Sequence, residues 1–430
     1  MADIHQFDMY DPEYVQEIFD VFAEMHRNGP VTRAEPYGGW FVVTGHEEVF
    51  EAARDHRTFS RQTEFPTHRT LRDGTPLPPN PANEIMLRTL ISLDPPAHKP
   101  VRIALNPHFT PAVVAPYEPQ IRRFANELID GFVEAGACDV WLDYAQPLAH
   151  LVIFSELLHC PLEKIEELFA LLDAVPSGPE GHSIDHLLET MAGFVAEFVQ
   201  WRQGQPPVGD PIDTLLALEI DGEKLPLEVV IANVVLLLAA GVETTGAVVA
   251  TTLDHLGRDP ELRRRLAGDP SLIEAACEEF LRLYGSVQLQ PRTVRQDTEL
   301  GGCPLHAGDR VLLAYAAASR DPKLHDCPAE FRLDRDTRSH AAFGLGAHRC
   351  IGSNIARLEF RVALEELLRR IPEVAPAAGH VYRRKIDHIH QPVSVRITFP
   401  PGAREGAEPA AAPAPAAAPA PAAATGEAAA

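Results

Sequence analysis

Residues 343–352 of this 430-residue chain read FGLGAHRCIG and set one cysteine, Cys350, between a glycine-rich loop and an apolar-periodic run. Glycines adopt backbone geometries that other residues resist, and they let the chain pass close to a flat partner. Cys350 falls just ahead of a helical pattern, where free amides and the helix dipole favour an anion, so a thiolate is expected. His348 and Arg349 add positive charge beside it. A thiolate held in a bend, with open space on one side, suits an axial bond to iron. Other chemistries fit less well. A dinucleotide fingerprint starting at Gly344 and Gly346 needs its third glycine where Arg349 stands. A zinc site needs further Cys or His at ligand spacing, and none follows. The competing reading is a small buried cysteine beside a turn.

Three other constellations carry polar groups into unusual places. AAGVETT, residues 239–245, lies inside the most apolar run of the chain. An acid and two threonines are costly there without partners or a task. A threonine hydroxyl can bond back to the carbonyl four residues earlier and open the helix, and Gly241 leaves room above a flat cofactor. In EEFLR, Glu279 and Arg282 stand at i, i+3 and Glu278 and Arg282 at i, i+4, so spacing alone does not choose the pair. In DPPAHKPVRIALNPHFTP, residues 94–111, His98 and Arg102 share a helical face and suit paired carboxylates.

The elements that position these groups are mostly helical. A run from Pro226 to about Gly257 is the longest candidate, about 48 Å at ~1.5 Å per residue, interrupted at Gly241 to Thr245. Ser271 and Glu274 form a capping box that opens the EEFLR helix. Residues 353–371 repeat apolar positions on one face, and Pro372 stops them. Strands are few: residues 40–44, 310–314 and 393–399, the last alternating cleanly. The expected fold class is mainly α with small β-sheets (α+β).

Composition narrows the partners. A net charge of −23 argues against nucleic acid and anionic membrane, which reward Lys and Arg. Residues 229–242 are too short for a membrane span. The acidic N-terminus has no apolar leader segment, and the six scattered cysteines include no C-x-x-C pair, so reduced thiols in a cytoplasmic protein are expected. C-x-x-C-H, the covalent haem attachment motif, is missing too. Residues 403–430 are an Ala/Pro tract with little to bury, expected as a disordered tail behind one unit spanning 1–402. His388 and His390 in DHIH are read as a strand edge or loop rather than a metal pair.

The ten residues ending at Gly352 resemble the haem-binding signature of the cytochromes P450, and the other constellations occur in that family's order over roughly residues 10–400. The resemblance implies a haem b monooxygenase fold, with haem between the long central helix and the cysteine-loop helix. It implies Cys350 as the iron ligand; His98, Arg102, Arg292 and His348 around the propionates; and Phe343, Gly344, Ala240 and Gly241 against the cofactor. Glu243 is then the acid and Thr244 the alcohol of the oxygen-activation groove. Glu279 and Arg282 become the structural ion pair, completed by Arg335. Departures are small: Ser319 stands where the family often has Asn, and His325 where Phe is common. The implied activity is hydroxylation of a small or medium hydrophobic molecule, terpenoid, steroid or aromatic-like. It uses dioxygen and two electrons, delivered by a ferredoxin and its reductase because no redox module fits the remaining length. Arg349, Arg357, Arg361, Arg369 and Arg370 are an expected basic dock for that partner. Residues 61–93, 175–195, 236–245 and 287–290 are the expected substrate walls. A thiolate-haem gas or redox sensor without turnover, or a haem-free helical binding protein, are the alternatives. A colourless protein would decide for the last.

Overall fold

A computed structural model describes residues 3–64, 70–78, 85–161, 163–165, 184–385 and 389–406, without side-chain detail for 184–191. It is helix-rich with small sheets. Five helices position the site: α1 (His98–Leu105), α2 (Glu118–Phe132), α3 (Leu227–Arg258), α4 (Ile273–Tyr284) and α5 (Ser353–Arg370). One five-stranded sheet flanks them, made of β1 (Val31–Ala34), β2 (Trp40–Val43), β3 (Phe59–Ser60), β4 (Leu289–Val294) and β5 (Arg310–Ala314), in the order β1-β2-β5-β4-β3. Only the β2–β5 pairing is parallel.

The long helix α3 runs unbroken for 32 residues and most of its residues are buried. Its length and apolarity would also cross a membrane, but Val234, Leu238, Val249 and Leu253 sit in the largest core cluster instead. The expected interruption at Gly241 to Thr245 does not occur. Thr244 Oγ1 does donate to the Ala240 carbonyl at 2.7 Å, yet the packed helix keeps its course, because the hydroxyl shares a carbonyl that the backbone already uses. Further along, Gly246 permits a close crossing: a Cβ there would stand 3.0 Å from the Ala145 carbonyl oxygen.

Other boundaries differ from expectation for local reasons. Ser271 is no N-cap; the Asp269 carboxylate takes the Ser271 N–H and hydroxyl, a short 3-10 turn follows, and α4 starts at Ile273. The strand expected at 393–399 is split into Pro392–Ser394 and Arg396–Thr398, and Val393 points to solvent while Val395, Ile397 and Phe399 are buried. The longest strand, β4, is hidden in the sequence because Pro291 interrupts its pattern. Residues 403–406, expected in the tail, are held to the fold: Glu405 pairs with Arg369 and Arg370, and its N–H meets Asp130. Residues 407–430 lie outside the described residues.

Candidate functional site

Residues from α1, α3, α4, α5 and β4, with the loops between them, meet around one cavity of about 1450 Å³, counting its open mouth. The cysteine loop forms its floor. Gly344 and Gly346 take left-handed backbone (φ +61° and +66°), and a Cβ on Gly346 would lie 2.4 Å from the Ala53 carbonyl oxygen. Only glycine fits that turn. The Cys350 N–H closes the loop on the Phe343 carbonyl at 2.7 Å, and α5 begins three residues later. Protein surrounds the Cys350 sulfur, but the residue is exposed to the open cavity. All six cysteines are unpaired thiols. Burial raises the Cys350 thiol above its usual value; the Gly352 amide and the charges of Arg102, Arg349 and Arg357 pull the other way and do not prevail. A coordinated metal ion supplies the charge that removes such a proton.

Across the cavity stands α3, contributing Leu236, Leu237, Ala240, Gly241, Thr244 and Thr245 to the wall. Gly241, on the cavity wall, also makes room for a neighbouring side chain, since a Cβ on it would run into Ile153 at 2.7 Å. Glu243 is half-buried and off the cavity wall, so acid and alcohol are adjacent in sequence but not together in the groove. Ser286 donates to the Thr244 carbonyl at 2.5 Å and ties α3 to the segment before β4.

One edge of the cavity is cationic. His98 and Arg102, one turn apart on α1, line it with Arg292 of β4 and His348 of the loop. The His98 and His348 rings lie 4.7 Å apart, and the Nε2 of each is buried without a partner among the described residues. Burial lowers the basicity of both, helped at His98 by Arg102; His348, facing Arg292, His98, Arg61 and Arg102, falls to about 2. Arg292 is fully buried and reaches only the Pro291 carbonyl and the Tyr315 hydroxyl among the described residues. Buried cations and orphaned ring nitrogens without an anion are costly. This edge is complementary to two carboxylates, as a haem presents, and Cys350 opens on the same, mostly apolar, cavity. The residues present fit the group.

Beside the loop, Glu279 and Arg282 are both wholly buried and paired through two contacts of 2.7 and 2.8 Å. Arg335 Nε joins Glu279 at 3.1 Å, and the Arg332 N–H donates to the same oxygen at 3.0 Å. Arg282 also donates to the carbonyls of Ser319, Pro328 and Glu330. Glu278 turns away to Arg357 and His340, which settles the ambiguity of spacing. The expected basic dock, in contrast, is largely neutralised. Arg357 pairs with Glu278, Arg361 with Glu118 and Glu365, Arg369 with Glu366 and Glu405, and Arg370 with Asp130. Arg349 alone of the five is exposed without an ion pair among the described residues.

Several comparisons bear on this geometry. A family model described as Cytochrome P450 matches residues 270–372. The steroid C26-monooxygenase of Mycolicibacterium smegmatis is 30% identical over 89% of this chain and 93% of that protein. The vitamin D(3) 25-hydroxylase of Pseudonocardia autotrophica is 30% identical over 87% of this chain and 91% of its own. The chain belongs to the cytochrome P450 family. A cytochrome P450 structure from Chondromyces apiculatus superposes with a TM-score of 0.78 at 29% identity, covering 93% of this chain and all of that one. The fold is that of the cytochromes P450, the activity is that of a monooxygenase, and the cofactor is a haem bound through a cysteine thiolate.

The sequence expectations for Arg61, Leu90, Ile91, Val287 and Gln290 as cavity walls agree with the structure, whereas residues 175–183 and His388 lie outside the described residues. Two charged groups of the wall carry no signal of their own in the sequence. Arg61 follows a two-residue strand, and nothing in its local sequence marks its charge as buried. Glu359, wholly buried, sits on the α5 face behind the loop with one oxygen unpartnered, and burial holds its carboxyl well above the usual range. His390 is buried against Tyr382 and Arg384 rather than near a second ligand, and no cluster of three metal-type side chains exists among the described residues.

Proposed function

We propose that Cys350 is the thiolate ligand of the haem iron and that His98, Arg102, Arg292 and His348 hold its propionates. Phe343, Gly344, Ala240 and Gly241 then flank the ring, and residues 1–402 act as one haem-binding unit. When bound, the haem supplies dioxygen activation and the insertion of one oxygen atom into a C–H bond. The observation that carries the reading is the single cysteine sulfur opening on the same cavity as Thr244, with Arg102, Arg292 and two unpartnered imidazole nitrogens at one edge.

The chain's own residues have defined tasks. Thr244 Oγ1 gives its proton to the Ala240 carbonyl at 2.7 Å, so towards the cavity it offers lone pairs and acts as an acceptor. It can thereby hold a protonated group in place while a proton is delivered. Glu243, half-buried and one residue away, exchanges protons with the solvent side and passes them towards Thr244. Leu90, Ile91, Leu157, Leu236, Leu237 and Val248 exclude water and receive an apolar body. Names such as steroid monooxygenase and vitamin D hydroxylase among the relatives favour a hydrophobic substrate of that general size.

Electrons arrive from separate redox proteins, a ferredoxin and its reductase. The test is turnover by the protein reconstituted with both, in labelled dioxygen, on a ligand chosen from a hydrophobic library by its haem spin shift. One labelled oxygen atom in the product is expected. Product without label, or spin shifts from no library member, contradicts the proposal and favours a sensor.

A further inference from the structure

The four groups assigned to the propionates leave one buried cavity cation unexplained. Arg61 directly follows β3, whose register (Ser60 opposite Thr293) lays it beside β4. Its side chain is 5% exposed, and Gln290 on β4 is 9% exposed; both line the cavity. The Arg61 Nη2 donates to the Gln290 amide oxygen. No carboxylate lies within ion-pair distance of the guanidinium among the described residues. Asp94, the nearest acid in the chain's own network, is used otherwise: it accepts from the Arg61 backbone N–H, the Ser60 hydroxyl and Arg295.

A buried guanidinium without a counter-ion is destabilising. Its burial and the charge of Arg292 lower its basicity to about 9. Because the Gln290 amide oxygen accepts from Arg61, the remaining Arg61 and Gln290 N–H groups are the pair's donors for a ligand in the cavity. Such an array suits a planar anion. Apolar side chains, among them Leu90, Ile91 and Val287, line the same space. Arg102, Arg292, His98 and His348 already give the two propionates two guanidinium groups and two imidazoles.

We propose that Arg61 and Gln290 form a carboxylate subsite in the substrate cavity, so that this enzyme selects hydrophobic acids over their neutral esters. The inference rests on the haem-monooxygenase reading and narrows its substrate class.

The holoenzyme, kept at a pH where the acids are ionised, is titrated with dodecanoic acid against methyl dodecanoate and with phenylbutanoic acid against its methyl ester. Affinity is read from the haem spin shift. Hydrogen bonds to a charged group predict a preference for the acid of about 10- to 100-fold. Arg61→Leu should abolish that preference while leaving ester binding unchanged, Arg61→Lys should keep part of it, and Gln290→Leu should reduce it with the charge in place. Equal affinities for acid and ester in the wild type overturn the proposal, as does a wild type that no acid shifts. An Arg61→Leu protein that binds haem more weakly, but whose haem-loaded fraction keeps the acid-to-ester ratio, also overturns it, and would place Arg61 on a propionate. The reduced, carbon monoxide-bound spectrum of the wild type tests the parent reading separately: a thiolate-type band with no acid preference sinks only the subsite.

Discussion

At the scale of single residues, the site divides into groups that hold and groups that move protons. We propose Thr244 as one of the second kind; its hydroxyl is oriented by the Ala240 carbonyl. Thr244→Ala should retain haem and ligand-induced spin shifts yet lower product formation on the order of 10–100-fold while electrons are still consumed; Thr244→Ser should restore most of the coupling. Product and electron consumption measured together check this, and unchanged coupling in the alanine variant would remove Thr244 from the proton path. His325 gives a pH prediction. Burial, then Arg282 and Arg335, lower its basicity to about 4 from an ordinary value of 6.5. The unfolded chain therefore binds a proton that the folded chain refuses, so this contribution to stability is complete above about pH 6.5 and lost as pH falls towards 4. His325→Phe should flatten that acid limb in denaturant titrations at several pH values, and an unaltered limb would contradict it. The cysteine motif, the choice of His98 and Arg102, and Arg292 were legible because type and spacing repeat a known pattern. The buried charges of Arg61 and Glu359 were not, because their meaning comes from what tertiary packing sets opposite them.

Elements place these residues through a few close approaches. The cluster of Glu279, Arg282 and Arg335 fixes α4 to the loop at 326–335 that leads to the cysteine segment. Removing one partner leaves a charge with no solvent, so Arg282→Ala or Glu279→Ala should cost ~3–5 kcal/mol, read from denaturant unfolding midpoints. A loss below ~1 kcal/mol, as exposed pairs give, would mean the cluster is hydrated. Where α3 crosses the segment around Ala145, Gly246→Ala has to push apart two backbones, and a lower unfolding midpoint is expected even though alanine favours helix over glycine. The long helix, α5 and the strands at 40–43 and 310–314 could be read from apolar period and stop signals. β4 could not, since a proline inside a strand hides it, nor could the 3-10 turn that Asp269 caps ahead of α4, since two residue types compete for the same free amides.

Over the whole molecule, the acidic balance of −23 coexists with internally satisfied arginines on the cysteine side. Arg122 alone meets Glu118, Glu365 and Glu366, linking α2 to α5. The basic count of that segment misled because sequence cannot show which acids fold against it. Charge reversal at Arg349 should therefore slow reduction by a ferredoxin and weaken its salt dependence, whereas Arg357, held by Glu278 and stacked on Phe343, should act through loop stability. Stopped-flow reduction rates at several ionic strengths distinguish the two. All of these parts serve one assembly, a cysteine sulfur bound to haem iron beneath the long helix. The most direct measurement is the reduced, carbon monoxide-bound absorption spectrum of the wild type beside Cys350→His. The account predicts a thiolate-type Soret band in the first and its replacement by an imidazole-type band, or loss of haem, in the second. The same thiolate-type band in both proteins would contradict it.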